Sequence, residues 1–264
     1  MSKTTITTLQ HMKQQGEKIT VLTAYDYSFA HIIDQQGIDV ILVGDSLGMV
    51  IQGHSSTLAV QVDDIIYHSK AVSRACQHSL VMADLPFMSY TSLQQANHNA
   101  ARLMQEGAAE MVKLEGGAQQ VHIVAELSRN SVPICAHLGL QPQSVHKLGG
   151  YRVQGREQQQ AKKMLEDALA LQDAGADALV LECVPITLAS KISQNLDIPT
   201  IGIGAGQYCD GQVLVLHDML GISQHAPKFT QNFLQSGRSI PEAIAAFAHD
   251  VKTGEFPSDL HSFI

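Results

Sequence analysis

The sequence predicts a (β/α)8 TIM barrel with an extra N-terminal helix and further helices after the last strand. Three observations carry that prediction. Eight short apolar runs recur along the chain, and they are near-continuously hydrophobic, as strands covered on both faces are. Longer stretches of helical period stand between most of them. Several of those stretches stop at a glycine just before the next apolar run, at Gly37, Gly107 and Gly175, a signal for a helix C-cap. A doubly wound open sheet is the alternative, because periodicity does not report closure. No Pro/Gly/Ser-rich linker or low-complexity segment interrupts the pattern, so residues 1–264 read as one barrel domain.

Taken in order, residues 1–17 read as the extra helix, plugging the N-terminal end of the barrel. The first strand is "KITVLTAYD" (18–26), followed by helical "SFAHIIDQQG". The second, "DVILVGDS" (39–46), precedes "VDDIIYHSKAVSRAC". The third, "LVMADLPF" (80–87), leads into "TSLQQANHNAARLMQEG", and the fourth, "EMVKLEGG" (110–117), into "QQVHIVAELSRN". After the fifth, "VPICAHLGL" (132–140), comes a long connection, 138–156, of the kind used as a lid or binding loop. It is followed by helical "EQQQAKKMLEDALALQDAG". The sixth, "ALVLECV" (178–184), the seventh, "PTIGIGAG" (199–206), and the eighth, "QVLVLHDML" (212–220), complete the set. Residues 228–264 supply the C-terminal helices.

Composition narrows the function. A net charge of −8 without a basic cluster disfavours nucleic acid as a partner. No run of about 18 apolar residues exists to span a membrane, and the N-terminus has no apolar signal core, so a cytoplasmic protein is expected. Cys76, Cys135, Cys183 and Cys209 are widely separated and form no CxxC pair, which reads as reduced thiols rather than a disulfide framework or zinc site.

The polar residues that interrupt the apolar runs cluster at strand C-terminal ends, the face on which barrel active sites are built. They are Asp45, Ser46, Asp84, Lys113, Glu115, His137 and Glu182, with Asp26, His217 and Asp218 as weaker members. Gly37 stands eight residues before Asp45, Gly107 eight before Glu115 and Gly175 seven before Glu182, a repeated helix stop, buried strand and carboxylate. Any one such carboxylate, taken alone, reads as a helix N-cap; a converged set is costly to bury without a purpose. Asp45, Asp84 and Glu115 offer only oxygen, which suits Mg2+. The competing reading is a structural carboxylate–lysine network around Lys113. Lys113 and Glu115 stand two apart in one strand and so face the same way. Lys113 could balance the carboxylates, hold an anionic substrate or form a Schiff base. Glu182, flanked by apolar residues, reads as a general base or as a cap or ion-pair partner. The glycines of "GIGAG" lack a GxGxxG pattern and read as close backbone packing.

In order along the chain, "TAYDYSFA", "LVGDSLGM", "QGHSSTL", "ADLPFMSY", "VKLEGG", "HLGLQPQSV", "GGYRVQGR", "LVLECVP" and "IGIGAG" resemble the ketopantoate hydroxymethyltransferases (3-methyl-2-oxobutanoate hydroxymethyltransferases), and "PKF" (227–229) and "HSF" (261–263) extend the resemblance. It implies a barrel of the phosphoenolpyruvate/pyruvate-binding type that assembles as a homodecamer. It implies Mg2+ held by Asp45, Asp84 and Glu115, an oxo acid contacted by Asp45, Ser46, Asp84 and Lys113, and Glu182 as base; His137, from its place at a strand end, reads as an additional site residue. The resemblance also implies 5,10-methylenetetrahydrofolate as cosubstrate, with 2-dehydropantoate as product for pantothenate and coenzyme A synthesis. Two departures stand out: Ala136, where the family often has glycine, and "GISQHAPKF" (221–229), which lacks the family's glycine pair. An enzyme of the phosphoenolpyruvate mutase or isocitrate lyase type is the alternative on the same scaffold, but the chain has no Lys-Lys-Cys-Gly-His-like loop. A non-catalytic binding barrel would have no reason to keep these carboxylates together.

Overall fold

The apolar runs fold as eight parallel strands: β1 (Ile19–Thr23), β2 (Val40–Val43), β3 (Leu80–Asp84), β4 (Met111–Glu115), β5 (Ile134–Gly139), β6 (Ala178–Glu182), β7 (Thr200–Ile203) and β8 (Gly211–Leu214). In this computed structural model, which describes residues 2–223 and 226–264, β8 pairs back onto β1 and the sheet closes as a barrel in chain order. Closure decides against the open sheet. Every residue of β1 to β4 is buried, which is why those runs do not alternate.

Helices Tyr27–Gln35, Val62–Ser73, Leu93–Gln105, Val121–Arg129, Gln158–Asp173 and Ile186–Asn195 follow β1 to β6. Between β7 and β8 there is no helix. Residues 204–210 turn directly, and helix Ile240–Thr253 instead packs against β1 and helix Tyr27–Gln35. The C-terminal segment thus contributes one α-helix with the short 3-10 turns Gln235–Gly237 and Asp259–His261. Gly37 and Gly175 adopt positive φ as expected of helix stops; after helix Leu93–Gln105 the left-handed residue is Ala108, not Gly107.

The lower, N-terminal mouth is stapled by a repeated device. Asp39, Glu110, Asp177 and Asp210 immediately precede β2, β4, β6 and β8. Each accepts a backbone N–H from the preceding strand, at Thr20, Val81, Ile134 and Thr200, over 2.8–2.9 Å. The extra helix, Ile6–Gln15, covers this mouth. It is capped by Thr5 and anchored by Lys13 to Asp210 (2.7 Å) and to the Ser193 carbonyl, and Lys3 just before it reaches Glu110 and the Ser79 carbonyl.

Three glycines answer to close approach at the upper mouth. Gly139 ends β5 at φ 91°, and a Cβ there would stand 2.1 Å from the Glu182 carbonyl oxygen. Gly204 and Gly206 have positive φ and would drive a Cβ into Phe229 and Ile186, so this glycine run serves packing, as expected. Ala136 is fully buried, level with Leu114 of β4 and Leu179 of β6. In the other departure, 221–229, Gln224 and His225 lie outside the described residues.

Candidate active site

Strand register assembles the upper mouth. Asp84 is level with Lys113 across β3 and β4, Glu115 with His137 across β4 and β5, and Gly139 with Glu182 across β5 and β6. Each of these pairs faces inward, so neighbouring strands deliver acid, base and cation side by side. Lys113 Nζ lies 2.6 Å from Asp84 Oδ1. The Asp45 backbone N–H donates to Asp84 Oδ2 over 2.9 Å, which ties the ends of β2 and β3 together. His137 stands between two carboxylates, with Nδ1 3.6 Å from Glu115 Oε1 and Nε2 3.2 Å from Glu182 Oε2. Ser46 Oγ shares a 2.8 Å hydrogen bond with the buried Tyr25 hydroxyl.

None of the four carboxylates caps a helix. The next helical segments, the short helix Leu47–Val50, helix Leu93–Gln105, the 3-10 turn Ala118–Gln120 and helix Ile186–Asn195, have Ser46, Ser92, Gly117 and Pro185 at their N-caps. The capping reading of each residue taken singly is therefore overturned, because the strand ends well before the helix begins or turns its acid inward. Asp26 is the exception: it accepts from the Phe29 N–H and is a plain N-cap. His217 lies on the short helix Leu216–Met219, its ring 5.8 Å from that of Tyr25. Neither His217 nor Asp218 shares a hydrogen bond or ion pair with the carboxylate group among the described residues.

The electrostatics are unbalanced. Asp45, Asp84 and Glu115 are buried around a single lysine, with Glu182 nearby. Burial opposes the charge on Lys113, but Asp84, Glu115 and Asp45 outweigh it and hold the ammonium well above its ordinary pKa. The acids pay the difference. Burial, then the charge of Asp84, pushes Asp45 up to about 7. Burial and Asp45 push Glu115 well above the carboxylate range. Burial raises Glu182 to about 8. Burial and the Lys113 charge hold His137 well below the usual imidazole value, so it is neutral.

Unsatisfied carboxylate oxygens distinguish this mouth from the lower one. The lower carboxylates are met by backbone N–H groups. At the upper mouth Glu115 Oε1 and both His137 nitrogens have no well-directed hydrogen-bond partner, and Asp84 Oδ1 meets Lys113 at ion-pair distance but off hydrogen-bond direction. Buried acid oxygens crowded around one lysine, Glu115 Oε1 among them without a hydrogen-bond partner, match the needs of a hard divalent cation. No three His, Cys, Asp or Glu side chains among the described residues converge as a ready-made cage. Mg2+ does not require one: it takes one or two carboxylates and fills its octahedron with substrate oxygens and water. The residues present fit the ion.

Two residues escaped the sequence reading. Gln143, in the loop after β5, donates from Nε2 to Asp45 Oδ2 (2.9 Å) and to the Leu85 carbonyl (3.0 Å), and from its backbone N–H to Glu115 Oε2 (3.0 Å). Tyr90 donates its hydroxyl to Gln143 Oε1 over 2.6 Å. Beside them opens a cavity of about 160 Å3 whose lining includes Phe87, Met88, Tyr90, Glu115, Gln120 and Gln143. A larger cavity, about 430 Å3, lies at the lower mouth around Asp34 and His78 and contains no site residue. The second half of the 138–156 connection passes over the upper mouth, where Tyr151 Oη lies 3.5 Å from Met49 Sδ and Gln154 N–H meets the Cys183 carbonyl.

A family model described as ketopantoate hydroxymethyltransferase matches residues 3–259. The chain belongs to that family. Among curated relatives of the ketopantoate hydroxymethyltransferase family, the 3-methyl-2-oxobutanoate hydroxymethyltransferase of Nitrosococcus oceani is 59% identical over 97% of this chain and 98% of its own. That of Halorhodospira halophila is 54% identical over 98% and 94%. As a ketopantoate hydroxymethyltransferase family member the chain is a transferase of the pantothenate pathway. Solved structures share the fold. A phosphonopyruvate hydrolase in complex with oxalate and Mg2+ superposes with a TM-score of 0.64 at 12% identity, covering 96% of this chain and 97% of that one. A 2,3-dimethylmalate lyase of the phosphoenolpyruvate mutase/isocitrate lyase superfamily gives 0.57 at 15%, covering 84% and 83%.

Proposed function

We propose that the upper mouth binds 3-methyl-2-oxobutanoate on a Mg2+ ion, removes its C3 proton and adds a hydroxymethyl group taken from 5,10-methylenetetrahydrofolate. The observation that carries this reading is the excess of buried carboxylate over cation, with Glu115 Oε1 left unpartnered. Asp45 and Asp84 would hold the ion, with Glu115 joining directly or through water. When bound, Mg2+ supplies Lewis acidity to the carboxylate and keto oxygens of the oxo acid, which acidifies the C3 proton and stabilises the enolate charge.

The chain's own residues do the rest. Lys113, fixed by Asp84, keeps a positive charge beside the substrate carboxylate. Ser46, oriented by Tyr25, offers a hydroxyl at the same strand end as Asp45. Glu182 takes the C3 proton. Its raised pKa makes it a competent base near neutral pH, and the neutral His137 ring beside Oε2 orients the carboxylate without quenching it. The C3–H bond breaks, a bond from C3 to the folate methylene forms, and water supplies the hydroxyl that replaces the folate nitrogen. Closure of 149–156 over the mouth would limit water at the enolate stage. By family resemblance the chain assembles as a homodecamer.

Turnover of 3-methyl-2-oxobutanoate with 5,10-methylenetetrahydrofolate tests the reading. Product formation that needs Mg2+ and stops with excess chelator is expected. Undiminished turnover in chelator would remove the metal. Cleavage of a 2-methylisocitrate-type substrate with no ketopantoate formed would point to the lyase alternative.

A further inference from the structure

We infer that Gln143 is a positioning residue for the metal carboxylates, holding Asp45 and Glu115 so that one oxygen of each faces the ion. The inference rests on the metal reading above and goes beyond it, because Gln143 stands inside the motif "HLGLQPQSV" but neither the charge pattern nor the site residues that the resemblance implies give it a role. Gln143 is buried on the loop after β5, yet its groups reach the ends of three other strands. Its Nε2 donates to Asp45 Oδ2 beyond β2 and to the Leu85 carbonyl beyond β3, and its backbone N–H donates to Glu115 Oε2 on β4. The amide cannot be flipped. Both Nε2 hydrogens meet acceptors, and Oε1 meets the Tyr90 hydroxyl at 2.6 Å. Tyr90 is held in turn against the Glu115 backbone, its oxygen 3.3 Å from the Glu115 N–H.

The consequence is a division of labour within each carboxylate. On Glu115, Oε2 is taken by Gln143 and Oε1 is the oxygen left without a partner. On Asp45, Oδ2 is taken by the Gln143 amide. A primary amide suits this post better than a charged group. It supplies two donors to a crowd of carboxylates without adding a cation that would compete with the metal, and without adding a further negative charge. Hydrogen bonds that orient ligating carboxylates typically set metal affinity by roughly 10–100-fold.

The test is calorimetric titration of the metal-free, folded chain with Mg2+ alone, comparing the parent with Gln143→Met and Tyr90→Phe. Methionine keeps the length and apolar volume of the side chain and removes only its donors and acceptor; the backbone bond to Glu115 stays. Gln143→Met is expected to weaken Mg2+ binding roughly 10–100-fold. Tyr90→Phe, which frees one end of the amide, is expected to weaken it roughly 2–10-fold. A purely structural strut would change melting temperature and leave the affinity of the folded protein alone. Gln143→Met that folds and binds Mg2+ within about twofold of the parent therefore overturns the inference. If that variant does not fold, Tyr90→Phe decides, and parental affinity there overturns it. A parent chain that does not bind Mg2+ at all refutes the metal reading itself.

Discussion

Lys113 shows at the scale of one residue how the site is balanced. It is the lone cation among Asp45, Asp84 and Glu115, and its ion pair with Asp84 is nearly sealed from water, at 6% and 3% side-chain exposure. Removing one partner of such a pair leaves a buried charge uncompensated, which costs about 3–5 kcal/mol. Lys113→Met should therefore lose about that much stability in urea unfolding with chelator present, and should recover part of it when Mg2+ is added. A variant as stable as the parent in chelator would contradict the balancing role of the Lys113–Asp84 pair. The residue types at these strand ends were legible because charge inside an apolar run is costly and conspicuous. Gln143 and Tyr90 were not, since an uncharged amide or hydroxyl in a loop breaks no pattern. Their importance lies in which oxygens they touch.

At the scale of elements, the junction of β5 and β6 positions the base. Gly139, at φ 91° and in contact distance of the Glu182 carbonyl, lets the two strand ends run close enough for Leu140 N–H to bond that carbonyl at 2.8 Å. Gly139→Ala should destabilise by about 1–3 kcal/mol through backbone strain alone. It should also lower kcat by displacing Glu182, read by denaturant melts beside steady-state kinetics. Retention of both values would show that the approach is dispensable. The strands themselves were legible from their unbroken hydrophobicity, but their ends were not. The run 212–220 was read as a strand throughout, whereas β8 stops at Leu214 and Leu216–Met219 is helical. Val213 and Leu214 before the break and Leu216, Met219 and Leu220 after it are all buried, so the apolar residues continue where the backbone changes. Helix Ile186–Asn195 went unmarked behind Pro185, and the seven residues after β7 leave no room for a helix.

At the scale of the whole molecule, two mouths of one barrel carry acids with opposite meanings. Below, Asp39, Glu110, Asp177 and Asp210 are satisfied by backbone N–H groups and hold strands in register. Above, Asp45, Glu115 and Glu182 have pKa values raised by burial and by one another, toward about 7 for Asp45 and about 8 for Glu182. The linkage has a definite sign. An unfolded carboxyl titrates near roughly 4 and an unfolded imidazole near roughly 6.5; below that second value His137, held neutral when folded, opposes the acids, and between it and about 8 the folded chain binds more protons than the unfolded one. Stability of the metal-free protein should therefore fall as pH rises across that window. Mg2+ should flatten the fall by favouring the ionised acids. Denaturant melts at a series of pH values, with and without Mg2+, check this; a metal-free stability that rises from roughly pH 6.5 to about 8 would contradict it.

The central claim is that Glu182 removes the C3 proton of an oxo acid held on a metal by the carboxylates of β2 to β4. Exchange of that proton for deuterium, followed by NMR with 3-methyl-2-oxobutanoate in D2O and no folate present, isolates this step from all later ones. Exchange by the parent chain with Mg2+ is expected, with loss of it in chelator and a rate reduced by roughly 10²–10⁴-fold in Glu182→Gln. Exchange at the parental rate in Glu182→Gln, or undiminished in chelator, would contradict the claim.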